Sequence, residues 1–170
     1  MLQSSTKKTL TKFDIIATYQ IIGGLLGVVF QILLLLNSDI SRALLFFTFL
    51  AICLYSFSIY CGILFFINHE SWIRFSLLNQ FLQIFNFSLL GFGFEYVSGI
   101  SQCVGIDFTT SFNLRFNFTI SSWHILINGD TEINELNINL IAFYIIILIE
   151  QYKKKKKRAD VNNRLSEIGK

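Results

Sequence analysis

The chain has 170 residues, is 53% hydrophobic and carries a formal net charge of +3. With a mean hydropathy of +0.56 it is too apolar for an ordinary soluble domain of this length, and the composition predicts an all-α integral membrane protein. Nineteen Phe and no Pro indicate an AT-rich, bacterial type of coding and helices without proline kinks.

The first predicted span, Ile15 to Leu36, contains no charged side chain and would measure about 33 Å as a helix, enough to cross the hydrocarbon layer. Lys7, Lys8 and Lys12 before it fit a signal n-region. The apolar run is too long for one and ends in no small-residue cleavage site, so it is read as a retained span. Inside it, Gly23 and Gly27 form a G-x-x-x-G pair, a candidate helix-packing site because two such glycines let another backbone approach closely. The second predicted span, Ala43 to Ile67, carries Cys53 and Cys61, which read as small apolar filler. Without a CxxC or a Cys and His pair at ligand spacing, no redox or zinc site is expected.

The third predicted span, roughly Phe75 to Phe94, contains "LLNQFLQIFN" with four side-chain amides. On a helix, Ser76, Asn79, Gln83 and Asn86 fall within roughly 80° of one another, while Gln80 points elsewhere. Such a stripe must face a helix, a partner or water. It serves as interhelical glue, lines a small polar cavity, or marks an amphipathic interfacial helix.

Between Glu95 and Glu135 the chain is read as a long outer loop with a β-rich part at about 103–128. Val104, Ile106, Phe108, Phe112, Leu114, Phe116, Phe118 and Ile120 alternate with polar residues, the mark of an amphipathic strand. The phase slips at Ser121 and Ser122, giving Trp123, Ile125 and Ile127 as the next apolar set. Turns near 109–111 and 121–122 would make two or three short antiparallel strands, too few to bury their apolar face alone.

The fourth predicted span, roughly Leu136 to Tyr152, runs into "KKKKKR" at 153–158. Positive charge at both ends places both termini in the cytoplasm and requires an even number of spans. The expectation is four transmembrane helices with a small extracytoplasmic antiparallel β insertion between helices 3 and 4. Residues 1–152 form the polytopic membrane domain and 153–170 a basic cytoplasmic tail, in a bacterial inner membrane.

No G-x-S-x-G, H-E-x-x-H, P-loop or paired-carboxylate arrangement is present, and His69 and His124 stand alone, so no catalytic, cofactor or metal site is predicted. The expected partners are the lipid bilayer and either another protein or further copies of the chain, with no nucleic acid. The leading function is a non-enzymatic subunit or accessory protein of a membrane complex. The alternative is a small permease or channel-like protein for a polar or amphipathic solute.

Overall fold

The computed structural model describes residues 11–129 and 133–168, so Lys7, Lys8, Asp130 and Glu132 lie outside the described residues. Helix α1, Lys12–Asn37, begins at a capping box in which Thr11 and Asp14 satisfy each other's backbone N–H, covering two donors that a helix start leaves open. Helix α2, Arg42–Phe66, is capped by the Ser41 hydroxyl, which accepts from the Leu44 N–H at 3.1 Å. The two form an antiparallel hairpin held close by glycines. Gly24 sits on the Tyr55 carbonyl and Ile59, and Gly62 on the Ala17 carbonyl and Ile21.

The four-span expectation is overturned. Among the described residues only α1 and α2 are long and apolar enough to cross a membrane. The predicted third span breaks into three elements: helix α3 (Trp72–Leu82), strand β1 (Phe85–Leu89) and strand β2 (Phe92–Tyr96). Its second half alternates with period two, with Phe85, Phe87 and Leu89 on one side and Asn86 and Ser88 on the other, which is strand patterning. Leu90 (φ 52°) and Gly91 (φ 81°) supply the two left-handed residues of a two-residue hairpin turn. The predicted fourth span divides likewise into strand β6, Glu135–Asn139, and helix α4, Leu140–Ile168. The apolar stretch of α4 ends at Ile149, too short to cross, before Glu150 and the basic run.

Strands β3 (Ile100–Asp107), β4 (Asn113–Ile120) and β5 (Trp123–Leu126) complete a six-stranded antiparallel sheet of order β4-β3-β6-β1-β2-β5. The insertion is thus larger than expected and draws strands from both doubtful spans. Strands β4 and β5 occupy opposite edges, yet only Ser121 and Ser122 separate them. A flat sheet would set its edges about 24 Å apart at roughly 4.8 Å per strand, whereas three Cα steps reach about 11 Å. The sheet must therefore curl. It bends at a corner where Val97 N–H donates to the Ser122 carbonyl (2.9 Å) and Ser121 N–H to the Gly99 carbonyl (2.7 Å).

Residues paired across the strands share a face, and the two faces differ in polarity. Leu114, Phe116, Val104, Ile106, Leu136, Ile138, Phe87 and Phe94 lie on one face; Arg115, Asp107, Glu135, Cys103, Asn137, Asn139 and Asn86 lie on the other. On β3 and β6 the polar face is the buried one: Ser101, Cys103, Asn137 and Asn139 are covered, while Leu136 and Ile138 are exposed. The start of α1, the end of α2, α3 and the start of α4 enclose a conventional apolar cluster of Ile16, Leu64, Trp72, Ile73, Ile145 and Ile149.

Candidate functional site

The hairpin carries its small and polar residues inward. On α1 the buried set is Ile16, Ala17, Gln20, Gly23, Gly24, Gly27 and Gln31, and on α2 it includes Thr48, Ala51, Tyr55, Ser58 and Gly62. These recur at helical spacing, so each helix has one face of small or polar side chains and an aliphatic remainder. Around Ser58 the inward groups join into a network spanning α1, α2, α3 and the sheet corner.

Ser58 is its hub. The Ser58 hydroxyl donates to the Gln20 carbonyl (3.0 Å) and accepts from Asn79 Nδ2 (3.0 Å) and the Ser98 hydroxyl (2.8 Å). One proton and two lone pairs are all a hydroxyl has, so Ser58 is saturated. The Ser76 hydroxyl donates to Gln20 Oε1 (3.1 Å), and the Tyr96 hydroxyl is shared between the Leu54 carbonyl (2.8 Å) and Asn79 Oδ1 (3.2 Å). Gln83 accepts the Ser98 N–H on Oε1 (2.9 Å) and donates from Nε2 to the Asn79 carbonyl (3.3 Å). The Ser121 hydroxyl accepts the Gly99 N–H and donates to the Gly23 carbonyl, both at 3.0 Å. None of Gln20, Ser58, Ser76, Asn79, Gln83, Tyr96, Ser98 and Ser121 is more than 4% exposed.

Of the stripe proposed from sequence, the structure brings Ser76, Asn79 and Gln83 together in this network. It separates Asn86, which lies on β1 opposite Asn137 of β6. Gly105 on β3 leaves the room that Asn137 occupies, since a Cβ there would stand 1.9 Å from Asn137 Oδ1. Gln80, expected to point away, is fully buried, and neither amide atom has a protein partner; Gln20 Nε2 and Asn139 Nδ2 are likewise unpaired. The packing glycines also part company. Gly27 faces the Tyr55 ring within the hairpin, whereas Gly23 faces Gly99 at the sheet corner.

Ser58, Tyr96, Ser98 and Ser121 were not singled out from sequence as site residues. The signal was the spacing of the few non-aliphatic residues on the hairpin, Gln20, Gly24, Gly27 and Gln31 on α1 with Thr48, Tyr55, Ser58 and Gly62 on α2. On the sheet's polar face, Arg115 bridges Asp107 at 3.4 Å and also pairs with Glu135. The Thr109 side chain, then the Thr109 backbone N–H and Arg115, hold the Asp107 carboxyl below its ordinary range. Cys103 is buried on the same face, directly opposite Asn117 and Asn139.

No nucleophile, base and orienting group meet in this arrangement, and no group of three His, Cys, Asp or Glu among the described residues could hold a metal ion. What the network does is join three helices and a sheet corner through neutral, directional bonds. In comparison with known proteins, no family model, curated protein or solved structure matches this chain.

Proposed function

We propose that the protein is a non-enzymatic, membrane-embedded subunit or accessory protein, held in the bilayer by the α1–α2 hairpin and by the apolar face of its sheet. The observation that carries this reading is an inverted distribution of polarity. Among the described residues, buried polar side chains are nearly as many as buried hydrophobic ones and all are neutral, while Ile22, Leu26, Leu33, Phe46, Phe49, Phe116 and many others are exposed. In water that arrangement forfeits the main driving force for folding. In lipid it is favourable, because aliphatic side chains meet the acyl chains and polar groups bond among themselves.

The basic groups support an orientation. Lys12, Arg74 and the run Lys153 to Arg158 surround the end where Phe13, Trp72 and Tyr152 stack, a combination suited to headgroups on the cytoplasmic side of a bacterial inner membrane. Two crossings return the chain to its starting side, as four would. Alkaline carbonate extraction of membranes from cells expressing the full chain tests the reading. The protein should stay with the membrane pellet, and recovery as a soluble monomer would overturn it. A reporter fused after Lys170 should report cytoplasm, and one inserted at Asp39 the exterior.

A second reading, a small permease for a polar solute, draws on the unpaired amide of Gln80 beside the saturated network. If Gln80 serves a solute path, Gln80→Leu abolishes transport in a complementing strain while leaving insertion intact. Under the subunit reading it leaves complementation unchanged.

A further inference from the structure

Strand β4 pairs with β3 alone and ends the sheet, and of its eight residues only Thr119 is not exposed. The bond from Ser121 N–H to the Gly99 carbonyl makes that opposed pair a hydrogen-bonded one. Along the continuous β3–β4 register bonded pairs alternate, so residues 113, 115, 117 and 119 turn their backbone groups to β3. Leu114, Phe116, Phe118 and Ile120 turn theirs to the open edge. The side chains of these same four lie on the apolar face, with Phe116 76% exposed.

That edge is continuous with the hairpin's outer surface. Ile100 and Ile120 share an apolar groove with Tyr19, Ile22, Gly23 and Leu26 of α1, and Gly23 stands about 17 Å along a helix that begins at Lys12. Resting on the membrane-embedded reading above, the Ile120 end of β4 lies at bilayer depth beside α1, where open backbone groups have no water to bond. The complement of an open strand edge is another strand.

We propose that β4 pairs antiparallel with β4 of a second copy of this chain, about a two-fold axis at Asn117. This register uses every edge-facing residue: Leu114 bonds opposite Ile120, and Phe116 opposite Phe118, twice each. It sets Asn117 against Asn117 on the polar face and Arg115 opposite Thr119, so the two guanidinium groups do not meet. A register centred on Phe116 leaves Ile120 without a partner within the strand, and one centred on Arg115 opposes like charges. Both apolar faces merge into one lipid-facing surface.

The test is cross-linking in native membranes. Asn117→Cys is placed in a background of Cys53→Ser and Cys103→Ala, because Cys103 is directly opposite Asn117 within one chain. Two Asn117 positions in a non-hydrogen-bonded pair would have Cα atoms about 4.5 Å apart, within disulfide reach. Copper-catalysed oxidation of two differently tagged copies should give a product containing both tags with Asn117→Cys and none with Thr119→Cys. No product with Asn117→Cys, or equal product at both positions, overturns the proposal. Phe118→Pro gives a second test, since it removes an N–H that β3 does not use. It should abolish co-purification of the two tags while each chain still unfolds in a cooperative thermal transition, and retained co-purification would overturn the pairing. Carbonate extraction of the same membranes reports separately on whether the chain is membrane-embedded.

Discussion

Gly23 of α1 and Gly99 of the sheet corner meet backbone to backbone: a Cβ built on Gly23 would lie 2.4 Å from the Gly99 nitrogen and 2.6 Å from its Cα. Backbone cannot swing aside as a side chain does. Gly99 is bound to its identity twice over, by a φ of +102° and by the Tyr19 ring, 2.6 Å from any Cβ placed there. The corner therefore docks on the middle of α1 only because both residues lack side chains. Gly23→Ala should cost about 2–3 kcal/mol of stability, the upper part of the range for overpacking. Ile22→Ala, on the exposed side of the same helix, should cost much less. Thermal unfolding in detergent compares them, and a wild-type melting temperature for Gly23→Ala would refute the contact.

Ser58→Ala removes the acceptor of Asn79 Nδ2 and of the Ser98 hydroxyl in one step. Each stranded buried donor costs on the order of 1–3 kcal/mol, so Ser58→Ala should destabilise by about 2 kcal/mol or more. Ser56→Ala, on the exposed side of α2, should be near neutral. A double-mutant cycle of Ser58→Ala with Asn79→Ala should show strong coupling; additive effects would mean the two do not share a bond.

Asn79→Leu and Gln80→Leu should move in opposite directions although the residues are adjacent and both fully buried. Asn79 bonds to Ser58 and Tyr96, so Asn79→Leu removes two buried bonds, although Ser58 keeps Gln20 and Ser98 and Tyr96 keeps the Leu54 carbonyl. Gln80 has no protein partner on either amide atom, so a leucine of similar size removes a desolvation cost of about 1–3 kcal/mol. Gln80→Leu should hold or raise the melting temperature. A drop matching that of Asn79→Leu would place Gln80 inside the network.

Asp107 supplies the pH dependence. Its folded pKa lies below the ordinary 3.8 through Thr109 and Arg115. A depressed carboxyl contributes stability that is present above the unfolded value and is lost as pH falls through the folded one. Stability should thus decline as pH drops below about 3.8, and Asp107→Asn should flatten that decline while lowering stability at pH 7. An unchanged acid limb in the variant would remove Asp107 from the account.

The ends of α1 and α2 were legible within a few residues because a charge-free apolar run bounded by polar residues has one helical solution in lipid. The alternation from Val104 to Ile120 and the phase slip at Ser121 likewise became β3, β4 and the corner. What hid β1, β2 and β6 was averaging. Averaged over the twenty residues from Phe75 to Phe94 the chain is apolar enough to be read as a span, and only the period, two rather than 3.6, distinguishes Phe85, Phe87 and Leu89 as one side of a strand. Asn86 lies on β1, beyond a helix that stops at Leu82. Positive charge at both ends calls for an even number of crossings, and two satisfies that as well as four. Of the candidate site, Ser76 and Asn79 were legible because α3 keeps them on one face, and Gln83 because it follows directly as the C-cap residue of that helix. Ser98 and Ser121 were not, because a corner formed by residues far apart in the chain leaves no local period.

The bond from Ser121 to Gly23 joins residues 98 positions apart, and this separation governs the order of events during synthesis. The hairpin is complete at Phe66, but the groups that saturate its inward face arrive with Asn79, Ser98 and Ser121. At roughly 5–20 residues per second, the ribosome needs several seconds to supply them. Throughout that interval the newly made hairpin presents Gln20, Ser58 and a glycine-lined groove without their final partners. The nascent chain thus passes through a stage in which the polar face of the hairpin is complete but uncovered, and that stage ends when the corner docks.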